Sequence, residues 1–297
     1  MTDVDQLEDV VYGYKDGMGL VMDVFTSRDP RVDAGVIVAV SGGWSTDLAR
    51  RRNLLNDPEE WGILPRCLLD AGYVVFAVAH STQPRYTIEE LRPDLPRAVR
   101  FIRHNAGRFH IDPGRLGIVG GSSGGHVSLM TALSPPALIA DADDPVDRES
   151  SQVQAVAAYF PPTDLLNYGE TGVTMLELHG ALRASSLGFQ RFDDEAGRFE
   201  RITDPDQFRQ CLRENSPITH VHADNPPVLL IHGDGDELVP LSQSETLRGS
   251  LVEKGVVNRL VVLEGHGHAW PPLGNGQQDV LDWFGRHLGP ERRPLSG

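Results

Sequence analysis

Cysteine is scarce in this chain. Cys67 and Cys211 are the only two in 297 residues, too few for a disulfide framework. Positive charge is also short: 27 Lys and Arg stand against 42 Asp and Glu, a net charge of −15. A field of that sign repels phosphate backbones and anionic lipid, so the expectation is no nucleic-acid and no membrane partner. The one dense basic run, Arg50-Arg51-Arg52, is expected to form a solvated face. No apolar run approaches the ~18 residues of a membrane span. The opening Met1-Thr2-Asp3-Val4-Asp5 is acidic and lacks the basic-then-apolar order of a signal peptide. These absences point to a chain of the reducing cytoplasm. They leave its oligomeric state open.

What is present is ordinary for a folded protein: 40% hydrophobic and 23% charged residues. Val10 to Tyr14 and Leu20 to Phe25 are β-rich runs around Asp16-Gly17-Met18-Gly19, an antiparallel hairpin. Short runs of Val, Ile and Leu without polar alternation follow at 35–40, 73–79, 116–119, 153–160, 228–231 and 260–263. Such runs suit parallel strands buried on both faces. Helical patterns lie between several of them. Leu95, Ala98, Val99 and Ile102 share one face, His126 to Leu133 follows the third run, and Ser244 to Glu253 stops at Gly255. Val280, Leu281, Trp283, Phe284 and Leu288 form a closing amphipathic helix. The alternation predicts an α/β fold with helices on both faces of a mostly parallel sheet. The stretch 161–227 breaks this rhythm. It is expected to be a small helical cap over the carboxyl end of the sheet, inside one domain spanning 1–297. Met175, Leu176, Leu178 and Leu182 supply its helical pattern.

The run at 116–119 leads into Gly120-Gly121-Ser122-Ser123-Gly124-Gly125-His126. Gly-x-Ser-x-Gly between a strand and a helix is a nucleophile elbow, whose strained turn lifts a serine hydroxyl above the sheet edge. Two frames fit. Because the strand runs directly into Gly120, the apex falls at Ser122, with Ser123 as the alternative. His126 is expected to cap the helix that follows. A serine needs a base, and the base needs an orienting carboxylate. After the run at 228–231 come Asp234, Asp236 and Glu237; after the last run come His266 and His268. Both loops leave strands at the edge that carries the elbow.

These motifs, Gly-x-Ser-x-Gly-Gly-His, His-Gly-x-x-Asp-x-x-Val-Pro and Gly-x-Gly-His, resemble those of the α/β-hydrolase serine esterases. The resemblance is strongest to the hormone-sensitive-lipase-like, acetylxylan and feruloyl esterase, and prolyl-oligopeptidase-like groups. It extends over nearly the whole chain, except for about 165–213. It implies an α/β-hydrolase fold and hydrolysis of carboxylic esters of small molecules, with short or acetyl and feruloyl acyl groups, without a cofactor or metal. It also implies roles for Ser122 as nucleophile, Asp236 as acid and His268 as base. Relatives carry His-Gly-Gly-Gly-Trp where this chain has Val40-Ser41-Gly42-Gly43-Trp44. Gly42 or Gly43, with Ser123, would supply oxyanion-hole N–H groups, while Val40 replaces the histidine that braces the loop. Trp44 and Tyr86 are candidates for the substrate pocket. The alternatives are a small peptidase or aminopeptidase of the prolyl-oligopeptidase type, a lipase acting at an oil surface, and a binding protein without turnover.

Overall fold

The computed structural model of the protein describes residues 4–28, 32–46, 48–55, 63–179, 187–268 and 276–289. Their centre is an eight-stranded sheet. In chain order its strands are β1 (Val4–Lys15), β2 (Met18–Ser27), β3 (Gly35–Val40), β4 (Val74–Ala79), β5 (Leu116–Gly121), β6 (Ala155–Tyr159), β9 (Val228–Gly233) and β10 (Asn258–Leu263). Laterally they lie in the order β1-β2-β4-β3-β5-β6-β9-β10. The β1–β2 and β2–β4 pairs are antiparallel; every other neighbouring pair is parallel. Every residue of β3, β4, β5 and β9 is buried, whereas β10, at the sheet edge, is half exposed.

The side-chain alternation of the strands divides the core between the two faces. Ile37 and Ala39 of β3 join Phe76, Ile118 and Leu230 on one face, packed with α4 (Asp94–His104), α5 (Ser123–Leu133) and α8 (Ser242–Glu253). Val36, Val38 and Val40 join Val75, Val119 and Ile231 on the other, with α2 (Ile63–Asp70) and α9 (Gln277–His287). After β3 the chain steps to β4 on one side, then crosses to β5 on the other. The exits of β3 and β5 therefore diverge at a topological switch point, where α/β sheets bind ligands.

Two expectations need correction. The basic run is not a solvated face throughout: Arg52 is exposed, but Arg51 is not. The run lies in α1 (Leu48–Arg52), where Arg51 is fully buried and pairs with Asp9 and Asp23 of the opening hairpin. Arg52 reaches Asp9 at 2.6 Å. Asp23 is wholly buried, and a buried carboxylate requires a cation beside it. The inserted stretch, in turn, is only partly helical. It contains α6 (Met175–His179) and α7 (Pro205–Glu214), but between them β7 (Gln190–Asp193) and β8 (Arg198–Arg201) pair antiparallel. The Asp193 carboxylate accepts the Glu195 and Ala196 amides, and Gly197 takes a φ of +64°, so the chain turns back. Leu182 lies outside the described residues.

The hairpin docks on α3 (Ile88–Leu91), which follows the carboxyl end of β4. Gln190 donates to Glu90 at 3.1 Å and Arg191 to Glu89 at 2.6 Å. The insert thus meets the segment that leads away from the carboxyl end of β4.

Candidate active site

β5 ends at Gly121, and Ser122 follows at φ +53° and ψ −123°, a conformation that L-residues avoid. The glycines on either side make it attainable. A Cβ on Gly120 would lie 2.4 Å from the Gly124 backbone, and one on Gly124 would lie 2.8 Å from the Ala39 carbonyl oxygen. The Ser122 amide donates to the Tyr159 carbonyl at 2.9 Å, fastening the turn to β6. Ser123, by contrast, opens α5 with its hydroxyl buried 2.9 Å from that of Ser41. The first frame therefore presents a serine, and the second buries one.

His268 Nε2 lies 3.0 Å from Ser122 Oγ, and His268 Nδ1 lies 2.8 Å from Asp236 Oδ2. Asp236 Oδ1 accepts the Leu238 and Val239 amides, each at 2.9 Å. The imidazole of His232 approaches Asp236 Oδ2 at 3.4 Å while donating from Nε2 to the Val239 carbonyl at 2.8 Å. Burial opposes charge on Asp236. The hydrogen bonds from His232, His268 and the Val239 amide outweigh it and hold the carboxyl well below the usual carboxylate range. An ionised Asp236 keeps the His268 proton on Nδ1, which leaves the Nε2 lone pair facing the serine. The Phe160 ring packs against this imidazole in a T-shaped arrangement, with centroids 4.6 Å apart.

The other sequence candidates serve the loops. Asp234 Oδ1 accepts the Gly265 amide at 2.7 Å, and the Gly235 amide donates to the His266 carbonyl at 3.0 Å. The approach is so close that a Cβ on Gly233 would meet that carbonyl at 2.1 Å. The His266 imidazole turns to the Glu264 carbonyl, and Glu237 is exposed.

In the loop after β3, the Gly42 amide donates to Ser45 at 2.9 Å, and the Ser45 amide returns a bond to the Gly42 carbonyl at 3.0 Å. Gly42 is thus occupied in closing the turn, which corrects its candidacy as an oxyanion donor. Because a trans peptide sets C=O and N–H opposite, holding the Gly42 carbonyl inward points the Gly43 N–H outward. Among the described residues that N–H donates to no protein acceptor. The Ser123 N–H is the first of α5 and has no acceptor within its helix.

Trp44 and Tyr86 are not placed as expected. Trp44 is buried, and its indole N–H donates to His126 Nδ1 at 3.1 Å. His126 is not a cap either. It lies inside α5 and passes its Nε2 proton toward the Asn215 carbonyl at 2.8 Å, while burial pushes its pKa down to about 4. Trp44 ties the loop to the helix rather than lining a pocket, because a buried indole N–H needs an acceptor. Tyr86 donates to Asp16 at 3.0 Å and lines a cleft of about 250 Å³ with Met18, Leu20, Thr46 and Ala79. Neither Ser122, Asp236 nor His268 lines that cleft. Ser41, Gln83 and Asn215 escaped sequence reasoning, since polar residues outside a motif carry no local signal of their partners. Among the described residues, no group of three or more His, Cys, Asp or Glu side chains is arranged to hold a metal.

A family model described as BD-FAE matches residues 22–251. Esterase LipQ of Mycobacterium tuberculosis is 28% identical over 84% of this chain, and the chain spans about half the length of that relative, 53%. A carbohydrate esterase from gut microbiota superposes with a TM-score of 0.76 at 21% identity, covering 96% of this chain and 97% of its own. A thermophilic esterase of Thermogutta terrifontis, solved with butyrate bound, superposes with a TM-score of 0.70 at 20% identity, covering 99% and 96%. The fold shared with these structures is that of the α/β-hydrolases.

Proposed function

The chain belongs to the BD-FAE family, and from that premise we propose that it is a serine esterase, cleaving carboxylic esters through an acyl-enzyme. One observation carries the reading: Ser122, His268 and Asp236 stand in a single hydrogen-bonded line, 3.0 and 2.8 Å per step.

Ser122 Oγ adds to the ester carbonyl carbon as its proton passes to His268 Nε2. The carbonyl oxygen takes the negative charge and meets the Gly43 and Ser123 N–H groups, donors fixed before the charge develops. Asp236 stabilises the imidazolium. The C–O bond to the alcohol then breaks, and His268 returns its proton to the departing oxygen. Water adds to the acyl-Ser122 carbonyl with His268 again as base. The carboxylic acid leaves, and the serine recovers its proton. No cofactor enters this sequence.

The substrate class is small esters with short acyl chains, acetylated or feruloylated compounds among them. Two observations support short chains. The related thermophilic esterase binds butyrate, and the insert, read as a cap on a single hydrolase domain, surrounds its exposed aromatic pair, Phe192 and Phe199, with the exposed charges Arg198, Glu200 and Arg201. Each buried methylene adds about 0.8 kcal/mol only while the pocket has room. The test is a series of p-nitrophenyl esters from acetate to palmitate, run beside acetylated and feruloylated sugars. Peak kcat/KM at short chains, with a phosphonate adduct on Ser122, is the expected result. No ester turnover, an adduct on Ser123, or best activity on long-chain emulsions would overturn the reading.

A further inference from the structure

The loop that carries the Gly43 N–H contains a weak point. Two peptide planes meet at Gly43, whose φ is +57°. The plane before it is held by the Ser45 bond to the Gly42 carbonyl. The plane after it, Gly43–Trp44, hangs on a residue with no side chain to limit its ψ. The side chain of Val40, just upstream, is apolar and offers this loop no hydrogen bond.

The fastening comes from another strand. Gln83, four residues beyond the end of β4, donates from Nε2 to the Gly43 carbonyl, and its own amide donates to the Trp44 carbonyl at 3.2 Å. Its neighbour Thr82 accepts the Thr46 amide at 3.2 Å, and Thr46 returns its hydroxyl to the Val40 carbonyl at 3.0 Å. The exit of β4 thus forms a splint along the exit of β3. Among the described residues, the side chain that grips Gly43 itself is that of Gln83.

We propose that Gln83 is a positioning residue for ester hydrolysis: by holding the Gly43 carbonyl it fixes the loop that aims the Gly43 N–H at the developing oxyanion. This rests on the serine-esterase reading above. Gln83 touches no reacting atom. It acts on the transition state through Gly43, so its loss lowers kcat more than it raises KM.

The test compares wild type with Gln83→Met, which keeps the length and loses the donor, and Gln83→Glu, which turns an acceptor toward the Gly43 carbonyl. Losing an oxyanion donor outright costs about 10²–10³ in kcat. A donor left in place but loosened is expected to cost roughly 10- to 100-fold in Gln83→Met and more in Gln83→Glu, with KM within about threefold. The affinity for butylboronic acid, whose serine adduct is tetrahedral, is expected to fall in step with kcat/KM, while the melting temperature changes little. If Gln83→Met does not fold, Gln83→Asn withdraws the same amide by one methylene and carries the same expectation. Wild-type kcat in a folded Gln83→Met or Gln83→Asn, or loss of boronate affinity no greater than the change in KM, would overturn the inference. Phosphonate labelling of wild-type Ser122 separates the two claims: without a Ser122 adduct the esterase reading itself fails.

Discussion

Asp234 Oδ1 holds the Gly265 amide at 2.7 Å, joining the loop that carries the acid to the loop that carries the histidine. A carboxylate two residues from Asp236 therefore has a task of its own, the spacing of the two loops. Asp234→Asn retains an acceptor oxygen and is expected to keep most activity. Asp234→Ala is expected to lose roughly 1 kcal/mol of stability and about tenfold in kcat/KM, as a misplaced base would. Equal kinetics for the two variants would remove the loop-spacing role.

Asp236 differs in kind. Asp236→Asn presents an amide to His268 Nδ1 and favours the wrong tautomer, so kcat is expected to fall on the order of 10⁴-fold. The variant also reports on acid stability. The carboxyl is held below its usual range in the fold, so the stability it contributes is present above about pH 4 and drains away as pH falls toward its depressed value. Denaturant melts are expected to show a gap between wild type and Asp236→Asn that is constant above about pH 5 and narrows below about pH 4.

His126 gives a test of the same sign at milder acidity. Its pKa is about 4 in the fold, against ~6.5 in an unfolded chain. Between those values the unfolded state binds more protons, so stability is lost as pH falls, by up to roughly 1.4 kcal/mol per pH unit. Glutamine at this position can accept from Trp44 and donate to Asn215 without titrating. The stability of wild type relative to His126→Gln is expected to decline from about pH 6.5 to about pH 4. A parallel pair of pH profiles would contradict the buried neutral imidazole.

The elbow glycines divide sharply from a surface glycine. Gly120→Ala drives a Cβ to 2.4 Å from backbone atoms that cannot retreat. It is expected to cost at least about 3 kcal/mol or prevent folding. Gly107→Ala meets nothing within 4 Å and has no positive φ. It is expected to change stability by less than about 0.5 kcal/mol in urea titrations. Similar costs at both positions would refute the packing argument.

Much of this architecture can be read from the chain because β3, β4, β5 and β9 are buried along their whole length, and burial on both faces writes itself as an unbroken apolar run. α5 is less legible. It begins at Ser123 rather than His126 because Gly124 and Gly125 are helical despite their propensity, held by close approach to Ala39 and Pro161. The β7–β8 hairpin was hidden by charge. Its alternation rests on Phe192 facing Phe199, both exposed, with no apolar face to mark the period. The alignment of Ser122, Asp236 and His268 could be expected, since each sits in a short motif after a strand. Arg51 and Gln83 could not. Their meaning lies in partners on other strands, which only the sheet order brings near.

The strand order has one further consequence. Ser122 leaves β5, flanked by partners on both sides, while His268 leaves β10, which among the described residues is an edge strand paired with β9 alone. Edge elements open at lower free-energy cost than central ones. Warming is therefore expected to disarm the protein before it melts: turnover fades reversibly as β10 frays, while the nucleophile stays mounted on an intact sheet. Amide exchange along Leu260–Leu263 that outpaces exchange along Leu116–Val119, with activity lost several degrees below the calorimetric midpoint, would be the signature of a machine whose base detaches first.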